Sequence, residues 1–224
     1  MSSSPDAKAR VLLVDDHPIV RQGLAMLINA EPDLVVCGEA STGAEALQLV
    51  RTTQPDVAMI DIALDDRSGV ELIREIHGMM PDLPMLALSM HDESLYAERT
   101  LRAGGRGYVM KQEATESMLT AIRRVLAGEI YLSARMSTRL LGQFASVPRG
   151  EHISPISRLT DRELEVYTMI GRGLSTREIA EKLFLSVKTV EAHREHIKEK
   201  LGLRSSVELV RHAVQFNLAP DHPG

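Results

Sequence analysis

Apolar residues in the first 130 positions gather in five short runs, and four of the five stop at a charged or hydroxyl residue. Val11-Leu12-Leu13-Val14 stops at Asp15-Asp16, Val57-Ala58-Met59-Ile60 at Asp61, Met85-Leu86-Ala87-Leu88 at Ser89, and Tyr108-Val109-Met110 at Lys111; the fifth run is Leu34-Val35-Val36-Cys37. Short, uninterrupted apolar runs with polar boundaries predict strands buried on both faces. Between them the apolar spacing changes to that of a helix, as at Ile19, Val20, Leu24, Leu27 and Ile28, or at Val70, Leu72, Ile73 and Ile76. The spacing predicts helices over 17–30, 42–50, 68–79, 91–103 and 118–126, with Gln54-Pro55, Gly104-Gly105 and Gly128 as stops. Strict alternation of such strands and helices predicts (βα)5, an α/β fold with a doubly wound parallel sheet.

The pattern changes after residue 130. Met136, Leu140, Leu141 and Phe144 predict a helix over 134–144, and the Ser-, Pro- and Gly-rich stretch 146–157 reads as linker. Thr160-Asp161-Arg162-Glu163 and Ser175-Thr176-Arg177-Glu178 both have the Ser/Thr-x-x-Glu form of a capping box. The first opens a helix through Leu164, Val166, Tyr167 and Ile170; the second opens a short helix to Leu183, and after a tight turn a longer one runs to Leu201. Two helices joined in this way predict a helix-turn-helix, with Val190, Ile197 and Leu201 on the inward face of the second. The expected organisation is therefore an α/β domain over 1–130, a connector with a helix over 131–157, and an all-α domain over 158–218.

Composition supports two domains. The chain has 224 residues, 44% of them apolar, enough for two ordinary cores. Its formal charge of -5 is unevenly divided: residues 1–130 hold 12 Lys and Arg against 20 Asp and Glu, whereas 131–224 hold 14 against 11. An acidic front and a mildly basic back place any polyanionic partner with the second domain. The single cysteine, Cys37, excludes an intrachain disulfide and, lying in an apolar run, reads as a buried strand residue. Residues 1–9 contain no apolar signal-peptide core, and no run approaches the ~18 apolar residues of a membrane span, so a cytoplasmic protein without a membrane partner is expected.

The strand ends carry the chemistry. In an open parallel sheet, ligands bind beyond the carboxyl ends of the strands, and there Asp15, Asp16, Asp61, Ser89 and Lys111 would meet. Each alone has an ordinary reading: an Asp before a helix caps it, and a Ser or Lys after a strand is solvated. If strands one and three are neighbours, however, three carboxylates crowd together, an arrangement relieved by a proton or by a hard divalent cation such as Mg2+. A cation, an ammonium and a hydroxyl around one carboxylate form a cradle for a phosphoryl group in transfer to that carboxylate.

On Val14-Asp15-Asp16-His17, Asp61, Leu88-Ser89, Gly107-Tyr108 and Lys111, the first 130 residues resemble the receiver domains of two-component response regulators. The resemblance implies that Asp61 accepts phosphate from a sensor histidine kinase and that Asp15 and Asp16 hold Mg2+ or another divalent cation together with Asp61 and the Ala63 carbonyl. It further implies that Ser89 and Lys111 contact the phosphoryl group, and that Tyr108 turns inward as the hydroxyl moves. Leu64-Asp65, with Asp66 next, stands where the family usually has Met-Pro, and Ala63 offers no polar side chain to position a hydrolytic water.

The second domain resembles the LuxR-type helix-turn-helix of the NarL/FixJ regulators through Gly173-Leu174-Ser175-Thr176, Glu178-Ile179-Ala180, Ser186 to Val190, His193 and Lys200-Leu201. This implies four helices, the last, over 205–214, supporting a homodimer formed on phosphorylation, with promoter DNA as partner and RNA polymerase as a further contact. The outward face of the long helix holds Lys188, Glu191, Ala192 and Glu195, with Thr189 and His193 beside it. Lys188, Thr189 and His193 suit phosphates; a Glu here either accepts from a cytosine amino group or is solvated. Arg177, Lys182, Arg194, Lys198, Lys200 and Arg204 add positive charge nearby. The expected function is a phosphorylation-controlled transcription regulator. Asp65-Asp66 motivates a phosphorylation-independent DNA-binding alternative, and an aspartyl phosphohydrolase ranks last because Ala63 replaces its second Asp.

Overall fold

The computed structural model describes residues 8–90, 93–112, 115–145 and 155–218. They form two compact units that divide between Ser146 and Val147.

The first unit is a five-stranded sheet of order β2-β1-β3-β4-β5. Its strands β1 (Ala9–Val14), β2 (Leu34–Ala40), β3 (Val57–Asp61), β4 (Met85–Ser89) and β5 (Gly107–Met110) pair in parallel throughout. The helices are α1 (Pro18–Asn29), α2 (Gly43–Thr53), α3 (Gly69–Met79), α4 (Glu93–Arg102) and α5 (Thr115–Leu126). Alternate strand residues point to opposite faces. Val11, Leu13, Val57, Met59, Leu86, Leu88 and Val109 form one cluster with Leu24, Ala25 and Ile28 of α1 and Ile122 and Val125 of α5. Leu12, Ala58 and Ile60 are left for the other face, and α2, α3 and α4 pack there side by side. Each fully buried apolar side chain contributes about 1.5–3 kcal/mol, which is why the central strands tolerate no polar residue before their ends.

All five predicted strands and five predicted helices form, with boundaries shifted by a few residues; the predicted start of α4 at His91 lies outside the described residues. Three predicted helix starts are N-cap residues instead, His17 ahead of α1 among them. The Thr42 hydroxyl accepts from the Glu45 N–H ahead of α2, and Ser68 precedes α3. Cys37 departs from expectation, being only half-buried. It belongs to the edge strand β2, and the β1–β2 register steps between Val11↔Val36 and Leu12↔Gly38, so Cys37 is the extra residue of a bulge.

The connector helix α6 (Ala134–Ala145) groups with this first unit. Tyr131 joins the free edge of β5: its N–H donates to Arg106 O and its carbonyl accepts from Tyr108 N–H, each at 3.0 Å. The Ser133 N–H then donates to Glu93 Oε1 at 2.8 Å, and Met136 is buried, so α6 begins against α4. Of the predicted linker, 146–154 lies outside the described residues.

The second unit opens with a 3-10 turn (Pro155–Arg158), followed by α7 (Asp161–Gly171), α8 (Thr176–Lys182), α9 (Val187–Leu201) and α10 (Ser206–Leu218). Both predicted capping boxes close. The last helix continues past its predicted end because it has a partner. Phe216 packs edge-on against Tyr167 with ring centroids 5.4 Å apart, and Asn217 Nδ2 donates to Thr168 O at 2.9 Å. A Cβ at Gly171 would lie 2.4 Å from Ala213 O, so the close approach of α7 and α10 requires glycine there.

Candidate functional site

The register of the sheet brings the strand ends together. Val14 pairs with Ile60, Asp61 with Leu88 and Ser89 with Met110, so the residues that end β1, β3, β4 and β5 share one edge. Strands one and three are neighbours, which settles the condition on which the acidic cluster depends. The approach is tight behind the site as well: a Cβ on Gly69 would sit 2.0 Å from Asp61 O, so only glycine lets α3 start this close to β3.

Lys111 Nζ lies 2.6 Å from Asp61 Oδ2 and 2.7 Å from Asp15 Oδ2, and all three side chains are buried. Asp15 Oδ1 accepts the His17 N–H at 2.9 Å, and Asp61 Oδ1 accepts the Ala63 N–H at 3.2 Å. The Asp16 carboxyl faces the ring of His17. Ser89 is fully buried at the end of β4, where its carbonyl accepts the Lys111 N–H at 2.8 Å. Tyr108 is buried.

The electrostatics follow from one ammonium among several acids. Burial pushes the Asp61 carboxyl above the usual carboxylate range, with Asp15 adding to the rise and Lys111 opposing it. Burial pulls Lys111 down, but Asp61 and Asp15 outweigh that and its affinity for the proton rises. Asp16 is pushed up to about 6, by burial first and then by Asp65. Asp15, Asp16, His17 and Asp61 each offer a ligand atom within 4.8 Å of the others. Asp15 Oδ2 and Asp16 Oδ1 are buried and accept no hydrogen bond, their near neighbours being the Lys111 ammonium and the His17 ring. Hard carboxylate oxygens left in this condition fit a divalent cation.

The neighbouring acid, Asp66, plays a different part: its carboxylate takes the Gly43 N–H, at 2.9 and 3.1 Å, and so ties the β3–α3 loop to the start of α2. No sequence pattern distinguished the two, because the separation depends on which way a loop turns after the buried Leu64.

Residues 11–123 match the response regulator receiver domain family, and residues 157–213 match the family of bacterial regulatory proteins of the luxR type. The chain is a two-component response regulator. It is 39% identical over 213 residues to the oxygen regulatory protein NreC of Staphylococcus aureus, a match covering 93% of this regulator and 98% of NreC. A LuxR-family response regulator from Aurantimonas sp. SI85-9A1 shares 34% identity and a TM-score of 0.58 over 62% of this chain and all of that one. RcsB from Salmonella enterica serovar Typhimurium, solved bound to a promoter, has the same fold, with a TM-score of 0.62 and 24% identity over 93% of this chain and 99% of its own. The regulator is thus of the NarL/FixJ type, and a phosphohydrolase reading is set aside. Among the described residues no helix is long and apolar enough to cross a membrane.

In the LuxR-type domain, α8 and α9 form the helix-turn-helix through a turn in which Phe184 adopts a left-handed φ of 49°. Arg162 fixes that turn from α7. One guanidinium N–H donates to Leu183 O at 2.7 Å and another to Glu165 Oε2 at 2.7 Å, contacts with no signature in the sequence. Lys188, Thr189, Glu191, Ala192 and Glu195 are exposed, and His193 is half-buried with its pKa lowered chiefly by burial. Lys188, Glu191, Ala192, Glu195 and Arg194 line one cleft with Thr176 and Ser206.

Several of the expected cations are engaged within the domain. Lys200 reaches Glu163 at 2.6 Å, Lys198 reaches Glu195 at 2.9 Å, and Arg177 reaches Glu181 at 3.2 Å. The Thr189 hydroxyl is 2.7 Å from that of its N-cap Ser186. Lys182, Lys188 and Arg194 form no ion pair among the described residues.

Proposed function

We propose that this regulator is phosphorylated on Asp61 by a sensor histidine kinase and that the modification controls its binding to promoter DNA. The observation that carries the reading is the single buried ammonium of Lys111 held between Asp61 and Asp15 at the ends of adjacent strands. Asp61 attacks the phosphorus of a phosphohistidine with one carboxylate oxygen, and the imidazole leaves. Lys111 already lies within contact of the attacking group, and its charge compensates that of the incoming phosphoryl oxygens. Asp15, Asp16 and Asp61, with the Ala63 carbonyl, are the residues that would hold Mg2+, which supplies further positive charge to those oxygens. Ser89 contributes its hydroxyl to the phosphoryl group, and Tyr108 follows its movement.

The output is read by α9. Lys188 contacts a phosphate, while Glu191, Ala192 and Glu195 face the base edges, Glu195 being oriented by Lys198. Thr189 and His193 reach phosphates as neutral donors, since burial disfavours the imidazolium. Val207 and Val210 leave an apolar strip exposed on α10, which supports a homodimer on paired half-sites. The protein acts in the cytoplasm, with RNA polymerase as the machinery it influences.

Acetyl phosphate with Mg2+ is expected to add one phosphoryl group to the wild type, seen by intact-mass spectrometry, and none to Asp61→Asn. DNA affinity is expected to rise on phosphorylation in the wild type only. Equal phosphate incorporation by Asp61→Asn would refute the site.

A further inference from the structure

Helix ends in the DNA-binding domain turn through left-handed backbone, with φ of 85° at Gly173 after α7, 67° at Gly202 after α9 and 49° at Phe184 after α8. Glycine adopts such a conformation freely, whereas a bulky side chain is strained there. The neighbours of Phe184 impose it: the Leu185 N–H donates to Ala180 O at 2.9 Å to close α8, and Arg162 holds Leu183 O at 2.7 Å. Leu183 is buried, yet Phe184 is 71% exposed. Its ring thus adds little to the domain's own core and occupies a position where glycine would suit the fold better. Strain of this kind persists at places where the residue itself is needed.

The position in the chain indicates the need. Phe184 and Leu185 separate α8 from Ser186, the N-cap of α9. In a helix-turn-helix the first residues of the second helix enter the major groove while the preceding helix crosses the backbone, so the turn between them lies at the border of the groove. Lys182 before the ring and Lys188 after it are exposed, and neither forms an ion pair among the described residues. An apolar ring is therefore bracketed by two cations suited to phosphates.

We propose that Phe184 lays its ring against a deoxyribose of the strand bordering the major groove, an apolar anchor between phosphate contacts made by Lys182 and Lys188. The inference rests on the DNA-reading role proposed for α9 and adds a residue of the turn to it. Sugar carbons are the apolar part of the DNA backbone and are the same at every base pair. Contact with them raises affinity without regard to sequence, and it releases no counterions. Burying about half of a Phe side chain corresponds to about tenfold in affinity.

The test titrates the full-length protein, phosphorylated with acetyl phosphate, against two labelled duplexes by fluorescence anisotropy: one selected by the protein from random sequence, and one scrambled. Phe184→Gly and Phe184→Asn both accept a left-handed φ. They are expected to weaken binding to both duplexes by about tenfold with the slope of log K against log salt unchanged. Their thermal midpoints should lie at or above that of the wild type, because strain is relieved. Phe184→Tyr keeps the ring and should stay within about twofold of the wild type. Wild-type affinity in the Gly and Asn variants would overturn the inference, as would midpoints lowered in both, which would make the ring a support of the fold. A loss confined to the selected duplex would put the ring on a base edge and overturn the sugar contact. Lys188→Ala separates the two levels. If it weakens binding while the Phe184 variants do not, only the role of Phe184 fails; if neither changes affinity, the reading of α9 fails with it.

Discussion

Replacing Lys111 by Met keeps most of the aliphatic stem and removes the charge, so it isolates what the ammonium does. In the wild type, Nζ sits 2.6 and 2.7 Å from two carboxylates that are almost wholly buried. Removing one partner of such a group leaves uncompensated buried charge, at a cost of about 3–5 kcal/mol. The variant has a way to lessen that cost, because Asp61 already has a raised pKa and loses the Lys111 contact that opposes the rise. A carboxyl whose folded pKa lies above its unfolded value of 3.8 binds more protons in the native state, so its stabilisation is present at low pH and lost as pH rises through the folded value. The destabilisation of Lys111→Met is therefore expected to reach about 3–5 kcal/mol in metal-free buffer at neutral pH and to be smaller at pH 5. Millimolar Mg2+ should restore part of it at neutral pH. Urea denaturation of the full-length protein, followed by circular dichroism at both pH values with and without Mg2+, measures all four quantities. A loss that is the same at both pH values and indifferent to Mg2+ would mean that Lys111 stabilises by packing, and the electrostatic account would be wrong.

The Asp16 carboxyl, with a folded value of about 6, favours the cation-free wild type most below pH 4; stability should fall by about 1–2 kcal/mol as pH rises through 6, and Mg2+ should flatten that decline in a pH series of urea midpoints. In the output domain, Lys188→Ala should weaken DNA binding across sequences and lower the slope of log K against log salt by about 1, whereas Glu191→Ala should alter the preference among operator variants, both read by fluorescence anisotropy. Arg162→Ala removes the donor to Leu183 O and the ion pair to the buried Glu165, so the thermal midpoint of the DNA-binding domain should drop, with a loss of about 2–4 kcal/mol. Glu208→Ala removes the carboxylate that accepts the Arg204 N–H at the start of α10 and should cost about 1 kcal/mol by the same measurement.

Much of this molecule was written in short-range patterns. A run such as Val57 to Ile60 before Asp61 suits a buried strand better than an amphipathic helix, and Thr160 with Glu163, or Ser175 with Glu178, marks a helix start through chemistry confined to four residues. The acceptor edge was legible because parallel strands place their carboxyl ends together, so residue types at four strand ends already described a site. What the sequence concealed depends on pairings between distant segments. The half-exposure of Cys37 follows from a register step against β1, the clamp of Lys200 on Glu163 joins residues 37 apart, and the different ends of Asp65 and Asp66 follow from the turn of one loop. Charge counting on α8 and α9 left out the acids beside the cations: Lys198, Lys200 and Arg177 read as nearby positive charge, and each meets a carboxylate, Lys198 and Arg177 within their own helices and Lys200 across to α7.

The sheet has two outer strands, and neither offers a clean template to another polypeptide. At β5 the amide of Tyr108 and the carbonyl of Arg106 are taken by Tyr131, and at β2 the extra residue Cys37 breaks the regular ladder. Exposed, regular strand edges invite strand addition between molecules and, at cellular concentrations, aggregation. Blunting both edges leaves the surfaces of the helices, rather than a strand edge, as what this domain offers to other molecules.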